Sequence, residues 1–490
     1  MPKKKKKKSW KEIQRERQIK QQGSQKAQQV QKEKEATRKR RPLPKGKIVL
    51  AVSVIALIFG GYAVWLYTTL PAAQTPVTPF TSIYIRVDGS VDPSDASISN
   101  TGNNHYTFTD NIYGAIIIER DNIVVDGANH ILQGPNNSSS KGIDLTARSN
   151  VTITNLEVQD FDCGVFLKSA TNNYLSQNYL THNNYGIELE SSSNNTAYGN
   201  TITNSNGAIG LAQSLDNVIT KNHLTGNLYS VSLNDSSSNT ISENTIANSN
   251  GGIGLSKSLG NNVSGNQISY GQDGVLLDMS SGNIVSANTI TNGEEAVKIT
   301  QSSDNNVTQN NLTNNQYGIT LTDSSGNTIS RNAATNSSYA IGLSHSSGNN
   351  VMQNNLQKNQ YSISLSLSSH NTVSENNMIT STYGISLAQS SNNVITGNYV
   401  GSNDYGIYLT YSSDNTLYHN IFEINTYQGY SLDSVNVWDN GYPSGGNYWS
   451  NYEDVYSTAV ELESSGIWGT PYVIDENNQD NYPLMDPRSI

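Results

Sequence analysis

The sequence predicts an all-β chain: a right-handed parallel β-helix, a solenoid of 22-residue coils, carried on a basic cytoplasmic tail and one transmembrane helix. Three observations carry that reading. An aliphatic-x-aliphatic pair returns every 22 residues, columns of Asn and Ser keep the same step, and one run of 23 residues near the N-terminus has no charge.

The pair runs from Ile143/Leu145 through Ile187/Leu189 and Val275/Leu277 to Ile407/Leu409, thirteen copies without an insertion. Self-similarity of this kind marks a solenoid, in which each repeat buries its apolar face only against its neighbours. One Asn column runs Asn178, Asn200, Asn222, Asn244, Asn266, Asn288, Asn310, Asn332, Asn354, Asn376, Asn398 and Asn420. A second runs from Asn173 to Asn415, and a Ser column from Ser192 to Ser412. Stacked amides can donate and accept from coil to coil, as in the ladders of stacked parallel strands. Asn also tolerates the left-handed backbone of a bend. The residue before each aliphatic pair from Gly164 to Gly406 is Gly, Ala or Ser, which suits a close approach of neighbouring chains. Leucine-rich repeats share the period but carry a helical segment, whereas these coils are filled with Ser, Asn, Thr and β-branched residues. The calcium-binding nonapeptide of β-rolls is absent. Three short parallel strands per coil remain.

The uncharged run, Ile48 to Leu70, is long enough to cross a hydrocarbon core of ~30 Å at ~1.5 Å per residue. Lys3 to Lys8, Arg38 to Arg41, Lys45 and Lys47 precede it, and no Lys or Arg follows until Arg86. The positive-inside rule then places the N-terminus in the cytoplasm and the β-helix outside. A 47-residue charged region is too long for a cleaved signal peptide. The expected order is a tail (1–47), a lipid-spanning helix (48–70), a Pro-rich stalk (71–80), an N-terminal cap with the first coils (81–142), regular coils (143–430) and a C-terminal cap (431–490).

Residues 1–47 hold 19 of the 30 Lys and Arg and 4 of the 40 acids; the remainder holds 11 and 36. The large part therefore lacks the basic footprint that nucleic acid requires. Cys163 is the single cysteine, so no disulfide forms within the chain.

The coil pattern Asn-x-Ile-Ser-x-Asn-x-Ile followed by Tyr-Gly-Ile-x-Leu resembles the NosD-like β-helix repeats of surface and periplasmic proteins, part of a broader group of carbohydrate-binding and sugar-hydrolase β-helices. The resemblance covers about residues 81–485, including an opening segment Tyr84 to Ser90 and a closing segment Trp438 to Trp449, pieces similar to those of archaeal members. It implies the fold, and for activity it implies a range from binding protein to enzyme. Similar chains often carry an Asp-Gly-rich stretch before Thr-Pro-Tyr-Val-Ile-Asp. Here Ser464 to Gly469 stand there instead, so no metal is carried over.

Three functions follow as expectations. A polysaccharide lyase or hydrolase needs carboxylates at a fixed gap. The best such place is Asp273, Asp278, Glu294, Glu295 and Lys298 on two adjacent coils, with Lys298 as a base in a lyase; Asp144, Lys168, Glu188 and Glu190 form a weaker group. Such clusters are more often solvated ion pairs. Copper handling, which the NosD resemblance implies, wants grouped His, Met or Cys. His105, His130, His182, His223, His345, His370 and His419 share no column in neighbouring coils, and Met279, Met352 and Met378 are scattered. No cofactor is expected. The third function is a non-catalytic, membrane-anchored cell-surface module that binds glycan or another surface macromolecule along the rod. Elimination favours it. Tyr317, Tyr339, Tyr361, Tyr383 and Tyr405 form an unbroken column. Their parity with the inward Ile and Leu predicts that they close the core, although exposed rings at this spacing would suit sugar faces. Sequons at Asn136, Asn137, Asn150, Asn194, Asn234, Asn262, Asn306, Asn311 and Asn336 are candidate glycosylation sites.

Overall fold

A computed structural model of the chain describes residues 80–137 and 139–487. The basic tail, the 48–70 span and stalk residues 71–79 lie outside the described residues. Among the described residues no helix is long and apolar enough to cross a membrane.

The described chain is a parallel β-helix. One coil shows the plan: a six-residue strand Tyr185–Glu190, then Thr196–Tyr198, then Thr201–Thr203. Each strand pairs in parallel with its copy 22 residues on, so Ile187 lies beside Ile209, Ala197 beside Ile219 and Ile202 beside Leu224. The middle strands form one sheet of 16. Ile187, Leu189, Ala197 and Ile202 point inward and are buried, and their columns make a single core along the rod. Burying one such aliphatic side chain is worth roughly 1.5–3 kcal/mol, which is how so polar a composition still holds a fold.

Polar ladders line the bends. Asn200 donates from Nδ2 to the Leu175 carbonyl at 2.9 Å and to Asn222 Oδ1 at 3.0 Å, and its backbone N–H donates to the same Oδ1 at 2.9 Å. The second Asn column repeats this, and each Ser of the Ser column accepts from the backbone N–H of the residue one coil before, as Ser236 Oγ does from Ser214 at 3.1 Å and Ser192 Oγ from Ala170 at 3.0 Å. The ladder residues do not themselves take the left-handed conformation. The residue before each one does: Gln177 (φ 56), Gly199 (φ 63), Lys221 (φ 56) and Glu243 (φ 55) precede Asn178, Asn200, Asn222 and Asn244. That position points to solvent, so the fold imposes a positive φ on whatever residue is there. A third ladder follows the last strand of each coil, mixing Asn183, Ser205, Asn227 and Ser249. It lapses to Gly271 and Gly293 and resumes at Asn315.

The ends depart from the 22-residue step. At the N-terminal end Thr81–Ile85 pairs in parallel with Ile112–Ile118 and antiparallel with Val91–Asp92. At the other end Asn436 and Asn447 take over the two Asn ladders from Asn415 and Asn420. The stacked rings of Phe422, Trp449 and Tyr472 then close the core, with centroids 4.6 and 4.3 Å apart.

Candidate functional site

The register sets Asp273 beside Glu295 and Leu276 beside Lys298 on the outward face of the six-residue strands. Lys298 Nζ pairs with Glu295 Oε1 at 2.9 Å, and Thr320 Oγ1, one coil on, donates to Glu295 Oε2 at 2.8 Å. That hydrogen bond to Glu295 raises the Lys298 pKa, with the charges of Glu295, Asp273 and Glu294 adding to it against partial burial. A general base needs the opposite shift, toward neutrality. Burial raises the Asp273 pKa, which Lys298 opposes and Glu295 and Glu294 reinforce, and Asp273 Oδ1 is buried without a hydrogen-bond partner. Asp278 ends its strand beside Thr300 and Glu294 lies in the bend before Glu295; the ion pair includes neither. Thr320 was not foreseen in this group, though it is readable as the residue one step after Lys298.

The second group separates into two pairs. Lys168 Nζ meets Glu190 Oε1 at 2.7 Å on the next coil, while Asp144 pairs with Lys141 at 3.1 Å. Lys141 also stands 3.6 Å over the Phe166 ring. Burial, then Glu190 and Asp162, raise the Glu188 pKa. These are ion pairs on a regular sheet.

The tyrosine column reverses the expectation that it closes the core. Tyr317, Tyr339, Tyr361, Tyr383 and Tyr405 stand on the outside, half-buried against one another. Their centroids are 5.7, 4.7, 4.6 and 5.2 Å apart along the column, and Tyr427 extends it at 4.9 Å. The interplanar angles are 7–18°. The rings spend their faces on each other, so edges and hydroxyls reach solvent and no free stacking platform remains along the ladder. Burial and the neighbouring rings raise the Tyr361 pKa.

Beside this ridge the next outward column is small: Thr320, Gly342, Ser364 and Ser386, in register from coil to coil. A shallow cavity of about 180 Å³ opens there, lined by Tyr317, Tyr339, Thr320, Gly342 and Ser364 among others. Tyr408 and Tyr430, stacked at 4.7 Å, close one end of the trough, and the Lys298–Glu295 pair lies at the other.

The donors that copper prefers are not brought together. Among the described residues no group of three or more His, Cys, Asp or Glu is placed to hold a metal. His182 Nδ1 lies 3.2 Å from Thr181 Oγ1, His345 Nδ1 3.1 Å from Ser344 Oγ, and His419 Nε2 2.8 Å from the Ser444 carbonyl, each beside its own local partner. Cys163 is buried, and burial pushes its thiol well above the ordinary range, against the thiolate that binds metal. Met378 is sealed in the core while Met279 is exposed. These residues do not fit a copper site.

Solved structures with a similar fold include DFA-IIIase from Arthrobacter chlorophenolicus A6, 13% identical with a TM-score of 0.33, the match covering 51% of this chain and 66% of that one. The exopolygalacturonase of Thermotoga maritima is 10% identical over 58% of this chain and 80% of its own, with a TM-score of 0.32. The A-module of an Azotobacter vinelandii mannuronan C-5 epimerase is 8% identical over 66% and 91%, with a TM-score of 0.31. At this similarity no activity transfers from them. No curated protein matches the chain. The family described as periplasmic copper-binding protein (NosD) matches residues 94–271 and 259–454, well over half of the sequence, and the chain belongs to that family.

Proposed function

We propose that this protein is a non-catalytic, membrane-anchored module of the cell surface that binds glycans or other surface macromolecules along its rod. One observation carries the reading: the outward face from Tyr317 to Ser366 carries a shallow trough beside a tyrosine ridge, built on coils in unbroken register. An unbroken face of repeated units suits extended contact made of many weak contributions. The 48–70 run and the charge asymmetry around it support the anchor and the outward orientation. Sequons on the trough's coils, at Asn306, Asn311 and Asn336, lie at the other two sheets and a bend, so sugars attached there would leave the trough bare.

A lyase or hydrolase acting on acidic glycans is the second reading, favoured by the unpartnered Asp273 Oδ1 next to Lys298. Against it stands a lysine held in its charged form. The family's description names copper, which the residues do not fit. The full chain, solubilised in detergent, tested on a glycan array with a parallel assay for unsaturated and reducing-end products, separates the readings. Binding without products is expected; product formation would make the protein an enzyme.

A further inference from the structure

Gly342 sits mid-strand, where glycine weakens a sheet and often marks a place that a ligand or another chain approaches closely. Nothing in the fold demands it. Its backbone is not left-handed, and a Cβ added there would meet nothing within 4 Å. A Cβ there would stand unobstructed beside the trough. Thr320 and Ser364 on either side of it are also small; Ser364 carries a hydroxyl that can donate and accept, and Thr320 Oγ1 can still accept while it donates to Glu295.

The same face carries no acid or base. The strands Tyr317–Thr322, Tyr339–Ser344, Tyr361–Ser366 and Tyr383–Ala388 contain hydroxyls, tyrosine rings and aliphatics alone on a chain whose residues after 47 hold 36 acids and 11 Lys and Arg. At the trough's end Lys298 is already paired with Glu295. An anionic polymer would find no free cation on this floor and would approach through a repulsive field. A peptide could not add as a strand either, because the backbone of each strand here is paired to the coils before and after it. A second copy of the rod would bring a like charge of the same size. What remains is an uncharged chain whose own hydroxyls repeat along the rod, at a pitch comparable to the ~4.8 Å between coils.

Resting on the glycan-binding reading above, we infer that the trough over Thr320, Gly342 and Ser364 selects a neutral polysaccharide and rejects uronate polymers. The test uses the full-length protein in affinity electrophoresis against hydroxyethyl cellulose, neutral xylan and polygalacturonate, at low and high salt. Retardation by a neutral polymer, insensitive to salt, is expected, with none by polygalacturonate. Gly342→Trp, which fills the floor, and Gly342→Glu, which charges it with less bulk, should each weaken binding at least tenfold. Gly254→Trp is the matched control: it lies on the same column, with nothing within 4 Å of its added Cβ, but beyond the charged pair, and it should bind as wild type does. Binding of polygalacturonate in place of the neutral polymers would overturn the selectivity and leave the glycan reading standing. Neutral binding that survives both Gly342 variants would overturn the site. A dimer in light scattering that Gly342→Trp dissolves would assign the trough to a second copy. Binding to no glycan at all would overturn the glycan reading with it.

Discussion

Asn288 completes the hydrogen bonding of Asn266. Its Oδ1 accepts from the Asn266 backbone N–H at 2.9 Å and from Asn266 Nδ2 at 2.9 Å, while its own Nδ2 donates to the Val263 carbonyl at 3.0 Å and to Asn310 Oδ1 at 3.0 Å. Both residues are fully buried, so water cannot replace a lost partner. The ladder joins three coils through one side chain.

Asn288→Leu should therefore destabilise the rod by about 1–3 kcal/mol. Leaving one buried polar group unsatisfied costs ~1–3 kcal/mol, and this change strands the buried Asn266 N–H. Glu243→Gln alters only a 3.8 Å surface ion pair with Lys221 and should fall within ~0.5 kcal/mol of wild type. Equal chemical-denaturation midpoints for Asn288→Leu and wild type would show that the amides contribute nothing net.

The ladders were legible in the sequence because their chemistry needs one residue type at one step. The third ladder was not, because Asn and Ser both serve it and the column alternates between them. The tyrosines were misplaced for a different reason. Counting back by twos from Ile319 puts Tyr317 inside, but the pairing passes from Tyr317–Tyr339 directly to Ile319–Ile341 and bypasses Gly318. A Cβ on Gly318 would lie 2.4 Å from the Ala340 carbonyl oxygen, so the chain bends there and the alternation restarts. The Asp273–Glu295 and Glu295–Lys298 neighbours followed from the step alone. The cap did not, since Asn436 meets Asn478 and Trp449 meets Asp480 across stretches outside any repeat.

The cap should be sensitive to pH through Asp480. Burial pushes this carboxyl up to about 7, while the Asn447 N–H at 2.7 Å, Trp449 Nε1 at 2.9 Å and the Tyr482 N–H at 3.0 Å pull it down and Asp439 adds a like charge. A folded-state value above the ordinary 3.8 means that the fold favours the protonated acid. Its contribution is full below the ordinary value and is lost as pH rises through about 7, at up to ~1.4 kcal/mol per unit. Tryptophan fluorescence should report a lower melting temperature at pH 8 than at pH 5, and Asp480→Asn should flatten that difference. An unchanged slope in Asp480→Asn would assign the pH dependence to another group.

Topology makes a separate prediction. Protease added to intact cells should remove the chain beyond Pro79 and spare the basic tail, because the positive residues cluster before the 48–70 run. Protection of the β-helix, or recovery of a soluble chain beginning near Ala73, would overturn the anchor.

Lys298→Ala and Glu295→Gln should leave the rod folded and, on the proposed non-catalytic reading, should abolish no glycan cleavage. A lyase base must give up its proton near neutral pH, whereas Glu295 at 2.9 Å holds Lys298 charged. Glu295 is itself occupied on both oxygens, by Lys298 and by Thr320 Oγ1. Removing the lysine leaves the Glu295 side chain, 18% exposed with the lysine in place, with Thr320 Oγ1 as its hydrogen-bond donor, so a modest loss of stability is expected, less than that of Asn288→Leu. Glu295→Gln keeps the shape and removes the charge, and should behave more mildly still. The decisive measurement is product analysis on purified full-length protein with acidic and neutral glycans. Unsaturated or reducing-end products that disappear in Lys298→Ala while the melting profile stays intact would place the protein among the lyases.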